Sequence, residues 1–162
     1  FNACRSGKLP LSDLQQVLPL IAMLNRTALE KALRYDIHAC TDVTGFGISG
    51  HALEMAQGCG LEVRLRYRAI PQYPAALDMY QRGETTGSNA ANRKLGLGVL
   101  AVDLSLERHE EEMLFDPQTS GPLLIAVAEA DAERLRATIE AETGGCWRIG
   151  QIEAGPAGVE VR

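Results

Sequence analysis

Residues 38–51 constrain the fold of this chain more than any other stretch. They begin with a short run of β-type residues that ends near Asp42, turn through Gly45 and Gly47, and enter an amphipathic helix. The start of a helix offers free N–H groups and a positive dipole end to an anion, and glycine lets the backbone approach a ligand closely. The pattern predicts either a phosphate site at which Asp42 binds Mg²⁺, or a plain strand–turn–helix corner in which Asp42 is a cap.

The length and charge of the chain exclude several classes of protein. Its 162 residues are enough for one domain with a substantial core. The net charge is −5, and the arginines at 64, 66 and 68 alternate as they would on one face of a strand. This distribution argues against a nucleic-acid partner. We also expect no membrane span, because no apolar run approaches the roughly 20 residues that a bilayer requires.

The cysteines bear on the cellular compartment of the protein, and the first residue bears on whether the chain is part of a longer one. Cys4, Cys40, Cys59 and Cys146 are scattered and form no C-x-x-C pair, so neither a zinc motif nor a disulfide framework is indicated. We expect reduced thiols in a cytoplasmic protein. The chain starts at Phe1 without a signal-peptide pattern, and we expect it to be a fragment of a longer polypeptide.

The periodicity alternates between helix and strand along most of the chain. A helix from Ser12 is expected to stop at Pro19 or to be followed there by a second helix over 20–34. Further predicted strands are 61–67, a central strand over 122–128, and a closing hairpin around Gly155–Pro156. Residues 84–98 are rich in turn-forming types and predict a loop, functional or plain. The fold class is therefore α+β, an α/β sandwich with a mixed sheet packed with helices.

A second motif, Asp116–Gly121, lies well downstream of the first. The run Thr41–His51 and this second run resemble, in order, the two signatures of the selenophosphate synthetases (selenide, water dikinases). The resemblance extends from roughly Leu24 to the end of the chain. It implies the carboxy-terminal domain of the aminoimidazole-ribotide-synthetase-like enzymes. We therefore divide the chain into a linker or remnant of a preceding domain, 1–10, and a single carboxy-terminal domain, 11–162.

The resemblance also implies a reaction and its participants. ATP, selenide and water would give selenophosphate, AMP and orthophosphate, with Mg²⁺ as cofactor and ATP as substrate. Asp42 would be a metal ligand. The residues expected to contact the nucleotide or its phosphates are Thr44, Gly45, Gly47, Thr119, Ser120 and Gly121. A missing amino-terminal domain would carry most nucleotide contacts, the catalytic Cys or selenocysteine, further metal carboxylates and the core of a homodimer.

Some residues depart from the family pattern or have two interpretations. The resemblance implies a catalytic Cys or selenocysteine and a Lys three residues apart in a glycine-rich segment. Cys4 and Lys8 are four positions apart and lie outside such a segment, so we reject them as that pair. The downstream signature of the family has two glycines after its Ser, and Pro122 replaces the second of them. Pro122 is expected to begin a strand. Asp116 is either part of the site or part of an Asp-Pro turn. His51 is expected to be a hydrogen-bonded packing residue.

Two other functions stay open from the sequence. One is a related ATP-dependent enzyme that acts on another substrate. The other is a non-catalytic module that uses this fold for binding or dimerisation. In either of the enzymatic interpretations we expect the 162-residue fragment alone to be inactive, because it carries no glycine-rich phosphate loop with a lysine.

Overall fold

The computed structural model describes the backbone of residues 1–162 and the surroundings of every side chain except that of Pro74. The α-helices are α1 (Asn2–Arg5), α2 (Leu11–Ile21), α3 (Arg26–Ala32), α4 (Gly47–Cys59), α5 (Pro74–Gln81), α6 (Asn89–Leu95), α7 (Arg108–Met113) and α8 (Ala132–Thr143). The strands are β1 (Ile37–Asp42), β2 (Glu62–Leu65), β3 (Leu100–Val102), β4 (Leu123–Val127), β5 (Gly150–Glu153) and β6 (Gly158–Val161). None of the described helices has the length and apolar character needed to cross a membrane.

Four strands form the predicted mixed sheet, in the order β3–β6–β2–β5. β6 runs parallel to both β2 and β3, whereas β5 runs antiparallel to β2. Helix α4 packs on this sheet, and side chains from α4, β2 and β6 share its main core cluster. The sequence prediction omitted β3, whose three residues are too few to show a period of two.

The predicted closing hairpin is wrong. β5 and β6 lie on opposite sides of β2, and the connection over 154–157 crosses the end of β2. A Cβ atom on Gly155 would come 2.9 Å from the Cβ of Glu62, the first residue of β2. Two strand spacings are about 10 Å, a distance that a short extended connection spans. Gly155 therefore permits close passage over a strand end and does not form a tight turn between paired strands.

β1 and β4 form a separate, two-stranded antiparallel sheet with core on both of its faces. Leu124 packs against the cluster that contains Phe115 and the larger sheet. The next residue, Ile125, packs against the cluster that contains Ala32 of α3 and Ile139 of α8. Because both faces are covered, β4 is a continuous apolar run. The prediction that this run would be a central strand is wrong, since it pairs with β1 alone among the described strands.

The first helices differ from the prediction in where they break. α2 continues through Pro19, and the break comes before Arg26. Pro19 lies close to the C-terminal end of α2, where loss of one N–H removes a single hydrogen bond. The break coincides with Asn25, whose side-chain nitrogen donates to the carbonyl of Gly121 at 2.9 Å. A tertiary contact, and not proline, therefore fixes this boundary.

The first residues of the chain contact the segment that was predicted to be a loop. Lys8 pairs with Glu84, and the side-chain nitrogen of Asn2 lies 3.5 Å from the carbonyl of Thr85. Within the predicted loop 84–98, residues Asn89–Leu95 form α6. Asn89 and Asn92 of this helix are buried, which shows that the segment is part of the packed structure.

Candidate functional site

Asp42 is the last residue of β1, as predicted, and its side chain is exposed. It lies opposite Leu123, the first residue of β4. Among the described residues, neither a hydrogen bond nor an ion pair reaches its carboxylate. The same residues contain no group of three His, Cys, Asp or Glu side chains that could hold a metal ion. The Asp42 carboxylate is therefore free to offer a hard oxygen to a cation.

The backbone after Asp42 is joined directly to the second motif. Val43 N–H donates to the carbonyl of Pro122 at 2.9 Å, and Gln118 N–H donates to the carbonyl of Thr44 at 2.9 Å. The same Thr44 carbonyl accepts from Gly47 N–H at 3.1 Å. The structure thus brings the two motifs together through main-chain hydrogen bonds.

Two of the predicted ligand-contacting glycines are buried between backbone segments. Gly47 has φ of +70°, and a Cβ there would lie 2.9 Å from the carbonyl oxygen of Leu114. A Cβ on Gly121 would lie 2.0 Å from the carbonyl oxygen of Val43. Both positions need glycine for internal packing, whatever they do for a ligand.

The other predicted contacts are more open to solvent. Gly45, Thr119 and Ser120 are exposed, and Thr44 is half-buried. Ser120 has φ of +56°, a left-handed conformation that is uncommon for a residue other than glycine. These residues surround the start of α4, so an anion there would meet both motifs and the positive end of a helix.

His51 is buried in α4, with 5 % of its surface exposed, and is hydrogen-bonded as predicted. Its Nε2 accepts from the backbone N–H of Thr44 at 3.0 Å. Its Nδ1 lies 2.9 Å from Oε2 of Glu54. The ring of Phe46 lies 5.6 Å from the imidazole, centroid to centroid. His51 therefore links the helix to the turn that precedes it.

The sequence interpretation missed two buried asparagines of α6, of which Asn92 holds the motifs together. The side-chain nitrogen of Asn92 donates to the carbonyl of Gly45 at 2.8 Å and to that of Phe115 at 2.9 Å. The side-chain nitrogen of Asn89 donates to the carbonyl of Glu112 at 3.0 Å. Their spacing of three residues puts both on one helix face, and that spacing is the one signal that could have identified them.

Asp116 is engaged within the protein. Its Oδ1 accepts from the hydroxyl of Tyr80 at 2.6 Å, and its Oδ2 accepts from the side-chain nitrogen of Gln118 at 2.8 Å. Burial raises the pKa of Asp116, against the lowering effect of these two hydrogen bonds. Burial also raises the pKa of Tyr80, as does the neighbouring Asp116 charge. With both oxygens occupied, the geometry favours the structural interpretation of Asp116.

Comparisons with known proteins agree with these motifs. A family model described as "AIR synthase related protein, C-terminal domain" matches residues 5–162. The chain is 40 % identical over 139 residues to a selenide, water dikinase of Pelobacter propionicus, covering 85 % of this chain and 40 % of the relative. It is 32 % identical over 160 residues to a selenide, water dikinase of Paraburkholderia xenovorans, covering 98 % of this chain and 45 % of the relative.

A solved structure shows the same fold at lower identity. The thiamine-monophosphate kinase of Stenotrophomonas maltophilia matches 99 % of this chain and 44 % of its own, with a TM-score of 0.62 and 20 % identity. The chain thus spans less than half the length of each of these three proteins.

Proposed function

Because this chain belongs to the family of AIR synthase related proteins and matches their C-terminal domain, we propose that it is the carboxy-terminal part of a selenide, water dikinase. The full protein would convert ATP, selenide and water to selenophosphate, AMP and orthophosphate. The similarity to proteins of that name over most of this chain supports the assignment. In this proposal residues 11–162 are one domain, and 1–10 belong to a linker or to a preceding domain.

One observation carries the proposal: an unengaged carboxylate stands where two joined motifs meet the start of a helix. Asp42 ends β1, Val43 is hydrogen-bonded to Pro122 just after the second motif, and Thr44 is hydrogen-bonded to Gln118 within it. An ATP-cleaving site must neutralise several phosphate oxygens. A free carboxylate for the metal, beside the positive end of helix α4 for the anion, suits Mg²⁺ with phosphate.

The chain's own residues would divide the work as follows. Asp42 holds Mg²⁺, which when bound neutralises phosphate charge in the transition state. Thr44, Gly45, Thr119 and Ser120 form the ligand-facing edge and orient the phosphates. Gly47 and Gly121 keep the two motifs in contact, because each fills a place where a Cβ would clash with backbone.

The remaining participants lie outside this chain. Relatives extend well beyond the matched region, so an amino-terminal domain would complete the nucleotide and metal sites and supply the catalytic Cys or selenocysteine. We propose that the full protein is a homodimer. The free thiols of the four cysteines suit the reducing cytoplasm, where we place it.

The direct test is the product made by the full-length protein that contains this chain. We expect AMP and selenophosphate to form in equal amounts when ATP, Mg²⁺ and selenide are present, as followed by phosphorus NMR. AMP formation that does not depend on selenide would indicate a related enzyme with another substrate. Absence of nucleotide cleavage by the folded protein would favour a non-catalytic binding module.

A further inference from the structure

The hydrogen bonds of His51 determine which of its ring nitrogens carries a proton. A backbone N–H can donate but cannot accept, so the 3.0 Å contact from Thr44 N–H requires Nε2 of His51 to be an unprotonated acceptor. The proton then resides on Nδ1, which donates to the Glu54 carboxylate at 2.9 Å. The arrangement selects the neutral Nδ1–H form of the ring.

These contacts leave Thr44 with no freedom in its backbone. Its N–H is held by His51, and its carbonyl accepts from both Gly47 N–H and Gln118 N–H. The Thr44 N–H is therefore unavailable to a phosphate, in contrast to the usual role of N–H groups at the start of a helix. The Thr44 hydroxyl oxygen lies 3.2 Å from the same Nε2, and because that nitrogen is an acceptor, the hydroxyl proton also points to His51.

The contact also fixes the main chain next to Asp42. Thr44 follows Asp42 by two residues, and Val43 between them is buried and bound to Pro122. The main-chain groups of Thr44 are held by three hydrogen bonds, and a loss of the His51 contact would remove one of them.

We propose that His51, oriented by Glu54, is a positioning residue that fixes the turn between Asp42 and α4, beside which the phosphates of the nucleotide would bind. The inference rests on the proposed function of this site. His51 itself touches no substrate, and it acts through the Thr44 peptide. The required property is an acceptor at the place of Nε2, which a glutamine side-chain oxygen can reproduce and a leucine cannot.

The test compares His51→Leu with His51→Gln in the full-length protein. We expect His51→Leu to lower kcat by about 10- to 100-fold, the range found for residues that orient a ligating group, and to speed amide hydrogen exchange at Thr44. His51→Gln should recover most of the kcat and slow the exchange again. Thr44→Val keeps the main-chain N–H and should leave exchange at residue 44 slow. His109→Leu is the matched control, since His109 lies in α7 outside the site.

A second measurement keeps the inference open to refutation if His51→Leu does not fold. Nitrogen-15 NMR of the unaltered protein should show a protonated Nδ1 and an unprotonated Nε2 at His51. The opposite tautomer would overturn the inference. A folded His51→Leu protein with unchanged kcat would overturn it too, as would a folded His51→Gln protein whose kcat is no higher than that of His51→Leu. If the unaltered protein makes no selenophosphate, the proposed function fails, while the tautomer and the exchange at Thr44 still decide whether His51 holds the turn.

Discussion

The side-chain nitrogen of Asn92 lies 2.8 Å from the carbonyl oxygen of Gly45 and 2.9 Å from that of Phe115. One buried amide thus joins the turn of the first motif to the residue that precedes the second. Arg93, the next residue, stacks on the Phe115 ring at 4.5 Å and pairs with Glu112 at 2.8 Å. Helix α6 is therefore a brace between the two motifs.

Replacement of Asn92 in this helix should destabilise the fold. In Asn92→Leu, two carbonyls lose their donor, and a buried group left unpaired costs about 1–3 kcal/mol. We expect the free energy of unfolding to fall by about 2–4 kcal/mol, as measured by urea denaturation. The control is Asn2→Leu at an exposed position, which should change it by less than about 0.5 kcal/mol. Equal stability of the two variants would mean that α6 does not brace the motifs.

Asp42→Asn should abolish selenophosphate synthesis by the full-length protein and leave the fold nearly unchanged. An amide keeps the shape of the side chain but presents a neutral oxygen to Mg²⁺, so the barrier should rise by several kcal/mol. Steady-state kinetics over a range of Mg²⁺ concentrations measures the effect. Asp78→Asn, on the exposed side of α5, is the control. Near-normal activity of Asp42→Asn would show that Asp42 is only a cap, because Asn caps about as well as Asp.

Gly121→Ala should be one of the most damaging single-methyl additions in the chain. The new Cβ would lie 2.0 Å from the Val43 carbonyl oxygen, and forcing atoms into packed backbone costs about 1–3 kcal/mol or more. Thermal unfolding measures the loss. Gly58→Ala, in α4 with open space around its Cβ, should instead stabilise by about 0.5–1 kcal/mol. The packing account of Gly121 is refuted if both changes have the same sign.

Asp116 should make stability fall as the pH rises. Because burial raises its pKa in the folded state, the folded protein binds more protons than the unfolded chain between the two pKa values. The stability from this group is complete below the unfolded pKa of about 3.9 and is lost as the pH rises through the folded pKa. Asp116→Asn should remove that part of the slope in urea unfolding measured from about pH 4 upwards. A slope in Asp116→Asn identical to that of the unaltered protein would contradict the assignment.

The isolated 162-residue chain should not hydrolyse ATP. Its exposed carboxylate at the joined motifs, Asp42, belongs to no group of three potential metal ligands among the described residues, and phosphoryl transfer depends on several charges held in place. Chromatography of nucleotides after incubation with ATP and Mg²⁺ measures the activity. Magnesium-dependent AMP formation by this chain, and not by its Asp42→Asn variant, would overturn the expectation.

The sequence predicted those elements whose signal is local. Strand β2 follows from its period of two, and the corner at Asp42 follows from its glycines. The pairing of the last strands did not, since Gly155–Pro156 is as typical of a hairpin as of a passage over Glu62. The two motifs were recognised, but not what binds them: Asn92 is a polar residue in a short helix, and its importance comes from two carbonyls distant in sequence.

The crossing of β2 by the chain between β5 and β6 has a consequence for folding. Residues 62–65 acquire partners on both edges from the last residues of the chain, and β3 has β6 as its neighbour. β1 likewise has its strand partner, β4, far downstream in the chain. Contacts of such long range require loop closure before any gain, so they slow folding. During synthesis on the ribosome, neither sheet could form while only the residues up to α6 had been synthesised. The larger sheet would be completed when β6 inserts between β2 and β3.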